Sequence, residues 1–499
     1  MRISGAIAVA IALVACYTTL YAQSDTKQLR AIFEPADERA GMMALAEHIL
    51  QKRAVTVRLD ILDGLSPGDG LWLELFPQEA YTAYVERIEH RAARRYSCFG
   101  QLADAPLGYF LFVVEGDVMV GTISLPSQGR RIDIRYEGTG VHSICEIDEA
   151  ALPPCGGTDP DVGSGPTIPP AVPSTPQAAG RVVADGKGAE GPCGPPPGVF
   201  DAMILYTPLA RAAAGGVDAI NAQCQVAIDL ANLAYVKSDI YTTRARLVYR
   251  GEIAYDENGT YKQHLNRLME PDDGIMDDAH ALRNGYSADV VTLLVDDPTY
   301  CGRAFCIATE DTAFSVVTWG CITGHSYAHE VGHNQGCEHD RANADPDCAL
   351  HSYSYGWRFL GEGGDQYRTV MAYPPGTRIE HFSNPDVDYD GVATGVPIGQ
   401  PDEAHNAETI RLISDWVKNF RLTRFDIWVD FDYAGEEFGT YSFPYNTLAE
   451  GVIHILVGVG ASELPSLWIQ AGSTSETMTI TKPMAIHACN GSVIIGAQP

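Results

Sequence analysis

Apolar and polar positions follow different rhythms in successive parts of this chain. Residues 108–114 (G-Y-F-L-F-V-V) and 118–125 (V-M-V-G-T-I-S-L) are short apolar runs bounded by glycine and aspartate. That pattern predicts β-strands and a β-rich unit over residues 27–155. Ala, Met, Leu and Glu dominate the region 37–52, which predicts a helix there. Farther on, residues 199–206 (V-F-D-A-M-I-L-Y) read as a buried strand, and 214–238 carry apolar residues at helical spacing. Residues 246–250, 288–295 and 314–318 add three strands, with a helix expected near 275–285 and a closing helix at 407–420. Strands alternating with helices predict an α/β unit over 199–422 with a mixed, mainly parallel sheet. From residue 425 to 499 short strands return, at 467–472, 477–480 and 493–496.

Two stretches break these rhythms. Residues 156–198 are dominated by Pro, Gly, Ser and Thr and close on C-G-P-P-P-G. Such a composition cannot bury a core, so it predicts an exposed, cleavable linker. The first 22 residues carry one positive charge and then a run of small apolar residues, the pattern of a signal peptide cut after Ala22. Leu13-Val14-Ala15-Cys16 also fits a lipobox, which would make Cys16 a lipidated N-terminus. Either signal exports the chain, and no later segment is a membrane-span candidate.

Length and charge narrow the class. A chain of 499 residues accommodates two or three domains. A formal net charge of −30 argues against nucleic acid as a partner and offers no polybasic hold on an anionic membrane. Outside the cytoplasm, cysteines normally pair. The six at 224, 301, 306, 321, 337 and 348 permit three disulfides, of open connectivity.

The chemistry concentrates at residues 325–340, H-S-Y-A-H-E-V-G-H-N-Q-G-C-E-H-D. His325, His329 and His333 would share one helical face, but at 1.5 Å rise per residue the first and last lie about 12 Å apart, too far for one ion. His329-Glu330-Val331-Gly332-His333 is an H-E-x-x-H motif. Residues four apart on a helix put two imidazoles within reach of one Zn²⁺, and Glu330 is placed as general base on the water such an ion activates. Gly336 permits a left-handed turn that returns His339 as third ligand. Three protein ligands leave a fourth position open, as catalytic zinc requires. His325 is then a bystander at the helix start.

The extended motif H-E-x-x-H-x-x-G-x-x-H-D resembles the metzincin metalloproteases, and Asp340 after the third histidine resembles their reprolysin (adamalysin) branch. The resemblance implies a metzincin-type catalytic domain over 199–422. It also implies a Met-turn, for which Arg368-Thr-Val-Met-Ala-Tyr373 supplies Met371. Tyr373, two residues on, is more like astacins and serralysins, where such a tyrosine approaches the metal or steadies the oxyanion. H-D together with M-x-Y resembles bacterial reprolysin-like enzymes, including the peptidyl-Asp metalloendopeptidases. The resemblance implies one catalytic zinc, protein or peptide substrates, and an edge strand in the segment that holds 302–304 and 313–318, on which substrate pairs antiparallel. It leaves calcium open, without a readable site. A preference for Asp would require a basic pocket residue, and the sequence singles out none of its arginines.

Upstream, residues 27–155 resemble the prodomains of such enzymes. Cys155, in L-P-P-C-G-G, is a candidate cysteine switch, because a thiolate can fill the open metal position until cleavage. Cys193 is the rival candidate, and the competing expectation pairs Cys98, Cys145, Cys155 and Cys193 in two disulfides. The tail resembles the first coils of a parallel β-helix, an accessory unit whose partner is unassigned. Two other functions stay in competition with a secreted zinc endopeptidase made as a zymogen. A thermolysin-like protease would take its third ligand from a downstream glutamate and would need neither Gly336 nor His339. A metal-stabilised adhesin would need no base at Glu330.

Overall fold

A computed structural model describes residues 29–36, 47–160, 198–435, 437–441 and 443–496. The signal segment with Cys16, residues 37–46 of the expected helix, and the stretch 161–197 with Cys193 lie outside the described residues.

The first unit is a curled antiparallel sheet. Its strands run in hydrogen-bonded order from Arg30–Ala31 through Gly70–Phe76, Glu79–Ala92, Arg95–Leu102, Tyr109–Glu115, Val118–Leu125, Arg130–Gly138 and Val141–Ile147 to Ile49–Val57 and Phe33–Pro35. Arg30–Ala31 and Phe33–Pro35 are pieces of one extended segment, and they pair with opposite ends of the sheet, Gly70–Phe76 and Ile49–Val57. The sheet therefore closes into a barrel, which leaves few exposed edges. Leu73, Phe110, Phe112, Val114, Met119, Ile132 and Ile144 pack its interior. The expected helix over 37–52 is contradicted from Ile49 onward. Ile49–Val57 is a strand paired with Val141–Ile147, because β-branched Val55, Thr56 and Val57 and a neighbouring strand override helical propensity.

Along two strands of this barrel, Tyr109–Glu115 and Val118–Leu125, the outward-pointing residues are buried too. Leu111, Val113, Val118 and Val120 pack on the helix Val217–Lys237, which explains why Tyr109–Glu115 and Val118–Leu125 are apolar on both faces. That helix is apolar nearly all round because its other side covers the second sheet.

The second sheet has six strands in the order Cys155–Pro160, Gly302–Cys306, Phe314–Thr318, Val290–Val295, Val199–Tyr206 and Arg244–Glu252. The last four are mutually parallel, and Gly302–Cys306 runs antiparallel to Phe314–Thr318. Along Val199–Tyr206, Phe200, Ala202 and Ile204 face Val217–Lys237 and the helix Ser326–Asn334, whereas Met203 and Leu205 face Tyr261–Met269 and Asp278–Tyr286. Tyr261–Met269 is not announced by the apolar rhythm; a Thr260–Gln263 capping box starts it. The closing helix is Asn406–Val417.

Residues 155–160 correct the expected start of the linker. They form a strand, Cys155–Pro160, that lies parallel on the edge strand Gly302–Cys306. Backbone pairing needs no apolar side chains, so a Gly-rich sequence conceals it.

The tail has three parallel strands, Asp426–Val429, Ser466–Thr474 and Ala485–Ile495, in register so that Trp428, Trp468 and His487 stack. Residues 477–480 are not a strand. Buried Arg246 joins tail to sheet, donating to Asp201 at 2.7 Å and to Asp426 at 2.5 Å.

Two disulfides form among the six cysteines, Cys301–Cys321 and Cys306–Cys348, rather than three. Cys224 and Cys337 remain thiols because each is buried among apolar side chains of the core. Cys98, Cys145 and Cys155 are thiols as well, which removes the expectation of N-terminal disulfides among the described residues. No helix of the described residues is long and apolar enough to cross a membrane.

Candidate metal centre and cleft

The helix Ser326–Asn334 carries His329 and His333 one turn apart. Gly336 ends it at φ +78°, with its N–H donating to the His333 carbonyl and that of Cys337 to Gly332. The chain then turns back as Glu338–Asp340, paired with Tyr355–Gly356, and delivers His339 beneath the helix. The three Nε2 atoms lie 3.1–3.2 Å from one another. Tetrahedral ligands at zinc–nitrogen distances of 2.0–2.1 Å would sit about 3.3 Å apart, so the triangle fits such an ion closely.

Each ring is oriented through its other nitrogen. His329 Nδ1 donates to the Val370 carbonyl at 2.9 Å, and His333 Nδ1 to the Cys337 carbonyl at 3.0 Å. His339 Nδ1 lies 2.8 Å from the buried Glu338 carboxylate. All three Nε2 lone pairs are thereby left for the centre. Burial pushes His329 down to about 3. Burial also depresses His333 and His339, but the Glu338 charge at His333, and hydrogen bonds to Cys155 and Glu338 at His339, outweigh it and raise both. Glu338 was not among the sequence candidates; its place beside His339 was its only signal.

The fourth corner is Cys155. Its Sγ and the three Nε2 atoms all lie within 4.8 Å of one another, with Sγ 3.9 Å from His333 Nε2. Burial would raise this thiol, but hydrogen bonds and charge from His329, and hydrogen bonds from His333 and His339, hold it well below the usual thiol range. Cys193 lies outside the described residues. His325 is not in the cluster: it caps the helix in a left-handed conformation at φ +65°, and its Nε2 pairs with Tyr109 Oη of the barrel at 3.2 Å.

Glu330 faces the same space, 1% exposed, with Oε2 unpartnered. Burial first, and the Cys155 charge second, push its carboxyl well above the ordinary range. A Cβ at Gly302 would collide with its Oε1, so only glycine lets the edge strand pass this carboxylate. Met371 is fully buried against Gly332 of the helix, where a Cβ would meet its sulfur at 2.6 Å. Asp340 accepts from the Tyr373 N–H at 3.0 Å and from Arg358 at 2.7 Å, tying the third-histidine strand to the Met371 turn. The Tyr373 ring centre is 4.3 Å from that of His339, and Tyr373 Oη donates to the Cys155 carbonyl at 3.0 Å.

Residues 148–160 form the strap that brings Cys155 here. Pro154 accepts from the Cys301 N–H at 2.9 Å and Gly156 from Arg303. The strap and the metal corner enclose a cavity of about 240 Å³.

Residues 198–383 match Metallo-peptidase family M12. A peptidyl-Asp metalloendopeptidase of Xanthomonas campestris pv. campestris is 31% identical over 380 residues, 74% of this chain and 81% of that protein. One of Stenotrophomonas maltophilia (strain R551-3) is 30% identical over 355 residues, 70% of this chain and 77% of that protein. Among solved structures, metalloproteinase-II from Bacteroides fragilis aligns at a TM-score of 0.33 and 12% identity, over 56% of this chain and 84% of that one.

Proposed function

From the premise that this chain belongs to Metallo-peptidase family M12 and is a metalloendopeptidase, we propose that it is an exported zinc enzyme made as a latent precursor. The observation that carries this reading is the convergence of Cys155 Sγ on the three histidine Nε2 atoms. Three nitrogens and one thiolate suit Zn²⁺ in a closed tetrahedral site. The fourth ligand rides on a strap that precedes the stretch 161–197, whose Pro/Gly-rich composition is that of a cleavable linker. Losing it converts a closed site into a three-histidine site with one open position. A permanently structural site has no use for a removable ligand, nor for Glu330 beside it.

A zinc ion held by His329, His333 and His339 would supply Lewis acidity to the scissile carbonyl and to water. Glu330 takes the proton from the attacking water and hands it to the leaving amine. Its burial, and the loss of the neighbouring Cys155 charge once the strap leaves, suit a carboxylate that cycles between the two states. Tyr373 Oη, released from the Cys155 carbonyl, is free to donate to the carbonyl oxygen of a substrate. Substrate adds to the edge strand Gly302–Cys306 after the strap vacates it. The strap runs parallel to that edge, opposite to the direction expected of substrate, and so fills the cleft without offering a peptide bond in the productive sense. The relatives are named peptidyl-Asp metalloendopeptidases, and we extend a preference for acidic side chains to this chain. Export is supported by the N-terminal leader and by two disulfides, which persist in oxidising compartments.

Peptide hydrolysis by the processed, zinc-loaded protein tests the reading, with and without a chelator and beside Glu330→Gln. Chelation should abolish turnover. The variant should keep its zinc and lose about 10²–10⁴-fold in kcat. Wild-type protein that is fully zinc-loaded and inert on every peptide would sink the proposal.

A further inference from the structure

Beyond Tyr373 the cleft wall carries two arginines that peptide hydrolysis itself does not require. Arg368 and Arg378 flank the turn after Met371 and line the same cavity as His329 and Glu330. A carboxylate of the strap pairs with one of them, Arg368, and lies within the field of the other. Glu149, on the strap six residues before Cys155, accepts from Arg368 Nη2 at 3.4 Å and from Arg131 Nη1 at 2.8 Å. Charge from Arg131, Arg368 and Arg378, together with the Arg378 main-chain N–H, outweighs the burial that would otherwise raise this carboxyl and holds it below its ordinary range.

The two wall arginines are fixed before any ligand arrives. Arg368 Nε donates to the Gly376 carbonyl at 2.8 Å and Nη1 to that of Ala372 at 2.9 Å. Arg378 Nη1 donates to Gly324 at 2.9 Å, while its Nε is buried without a partner. Arg131 and Glu149 both belong to the N-terminal part, so removal of that part takes them away together. Among the described residues no carboxylate of the catalytic part lies within ion-pairing range of Arg368 or Arg378. Asp340 is engaged by Arg358 and Asn343. Processing thus uncovers two preorganised guanidinium groups beside the metal corner with no counter-charge. Burying unpaired cations is costly, and a carboxylate entering between them recovers charge-assisted hydrogen bonds.

We propose that Arg378 and Arg368 form the subsite that reads an acidic substrate side chain, and that Glu149 occupies this subsite in the precursor. The inference rests on the peptidase reading above and assigns residues to its specificity. It makes the strap a two-point plug: Cys155 at the metal and Glu149 in the side-chain pocket.

The test uses mature, zinc-loaded enzyme from the processed full chain, and peptides that differ only in Asp, Ala or Lys beside the scissile bond. Wild type should prefer Asp. Arg378→Gln should lower the Asp-to-Ala ratio of kcat/KM about 10–100-fold, the worth of one charge-assisted hydrogen bond. Arg378→Glu should shift preference toward Lys, which a merely structural arginine would not do. Ratios within one enzyme cancel any general loss. An unchanged ratio in Arg378→Gln, or a wild type indifferent to Asp, overturns the subsite. A second arm needs no enzyme variant and no turnover. Calorimetry on the wild-type mature protein compares a peptide of residues 146–156 carrying Cys155→Ser with the same peptide also carrying Glu149→Gln. The Glu149 peptide should bind about tenfold tighter or more, and equal binding overturns the proposal. Discrimination in this arm by an enzyme that hydrolyses nothing would support the acidic subsite and refute the peptidase reading, so the two failures are separable.

Discussion

The N-terminal barrel meets the catalytic part in two places, and the two are built on opposite principles. On the broad side, Leu111, Val113, Val118 and Val120 lie on the helix Val217–Lys237, with the Glu115–Arg250 ion pair at 2.6 Å alongside. On the narrow side, the strap inserts single groups: Cys155 at the histidines, Glu149 among the arginines, and a backbone along the edge strand. Apolar burial is non-directional and grows with area, so the broad side can hold but cannot address chemistry. The strap instead acts through single directed contacts, Cys155 Sγ at the histidines, its carbonyl at Tyr373 Oη and Glu149 at Arg131 and Arg368. If the strap blocks the cleft as proposed, holding and blocking are separable, and each can be broken alone.

The largest expected effect attacks the hold. Leu111→Ala removes a fully buried side chain facing the helix and should cost the precursor about 3–5 kcal/mol in calorimetric unfolding. The precursor should nevertheless stay latent while folded. Early activity in this variant would mean that the broad side itself blocks the cleft. Next comes the block. Cys155→Ala should raise peptide hydrolysis by uncleaved precursor on the order of 10–100-fold, since a tethered ligand acts at roughly millimolar effective concentration. Its unfolding temperature should fall less than that of Leu111→Ala. A fully latent Cys155→Ala precursor would move the block elsewhere on the strap.

The smallest effect refines the hold through pH. Asp229, on the helix, accepts from Ser97 of the barrel and from Gln225 at 2.8 Å. Burial pushes it up to about 6, against the charge of Arg91. An unfolded aspartate titrates near 3.9, so folding favours the protonated form. Its contribution is intact below about pH 4 and is lost as pH rises through 6. Asp229→Asn does not titrate, so its stability relative to wild type should rise across that window by about 3 kcal/mol at most and then level. Parallel stability–pH curves would show that Asp229 is better solvated than its burial implies.

The same contrast separates what was legible in the residues from what was not. His329, His333, Gly336 and His339 span eleven positions, and helical geometry plus one glycine turn bring their rings together almost without help from the rest of the fold. The alternation of Phe200, Ala202 and Ile204 with Met203 and Leu205 likewise announced a sheet covered on both faces. The region 37–52 misled because Ala, Met and Leu describe propensity, whereas Ile49–Val57 became a strand through its neighbours. The cysteine tally misled because pairing depends on where cores form: Cys224 and Cys337 are sealed in one, apart from each other.

By itself, then, the sequence determined a cluster of three histidines fit to hold a metal and an α/β scaffold, because both arise from periodicities within a dozen or so residues. Only the tertiary structure decided that Cys155 is the thiol at that cluster, that residues 155–160 lie on the sheet edge, and that Glu149 meets Arg368 across a separation of 219 residues. These contacts join segments that local spacing does not relate. They exist because a closed barrel docked on one helix places the end of its last strand, and the strap that follows, at the mouth of the cleft.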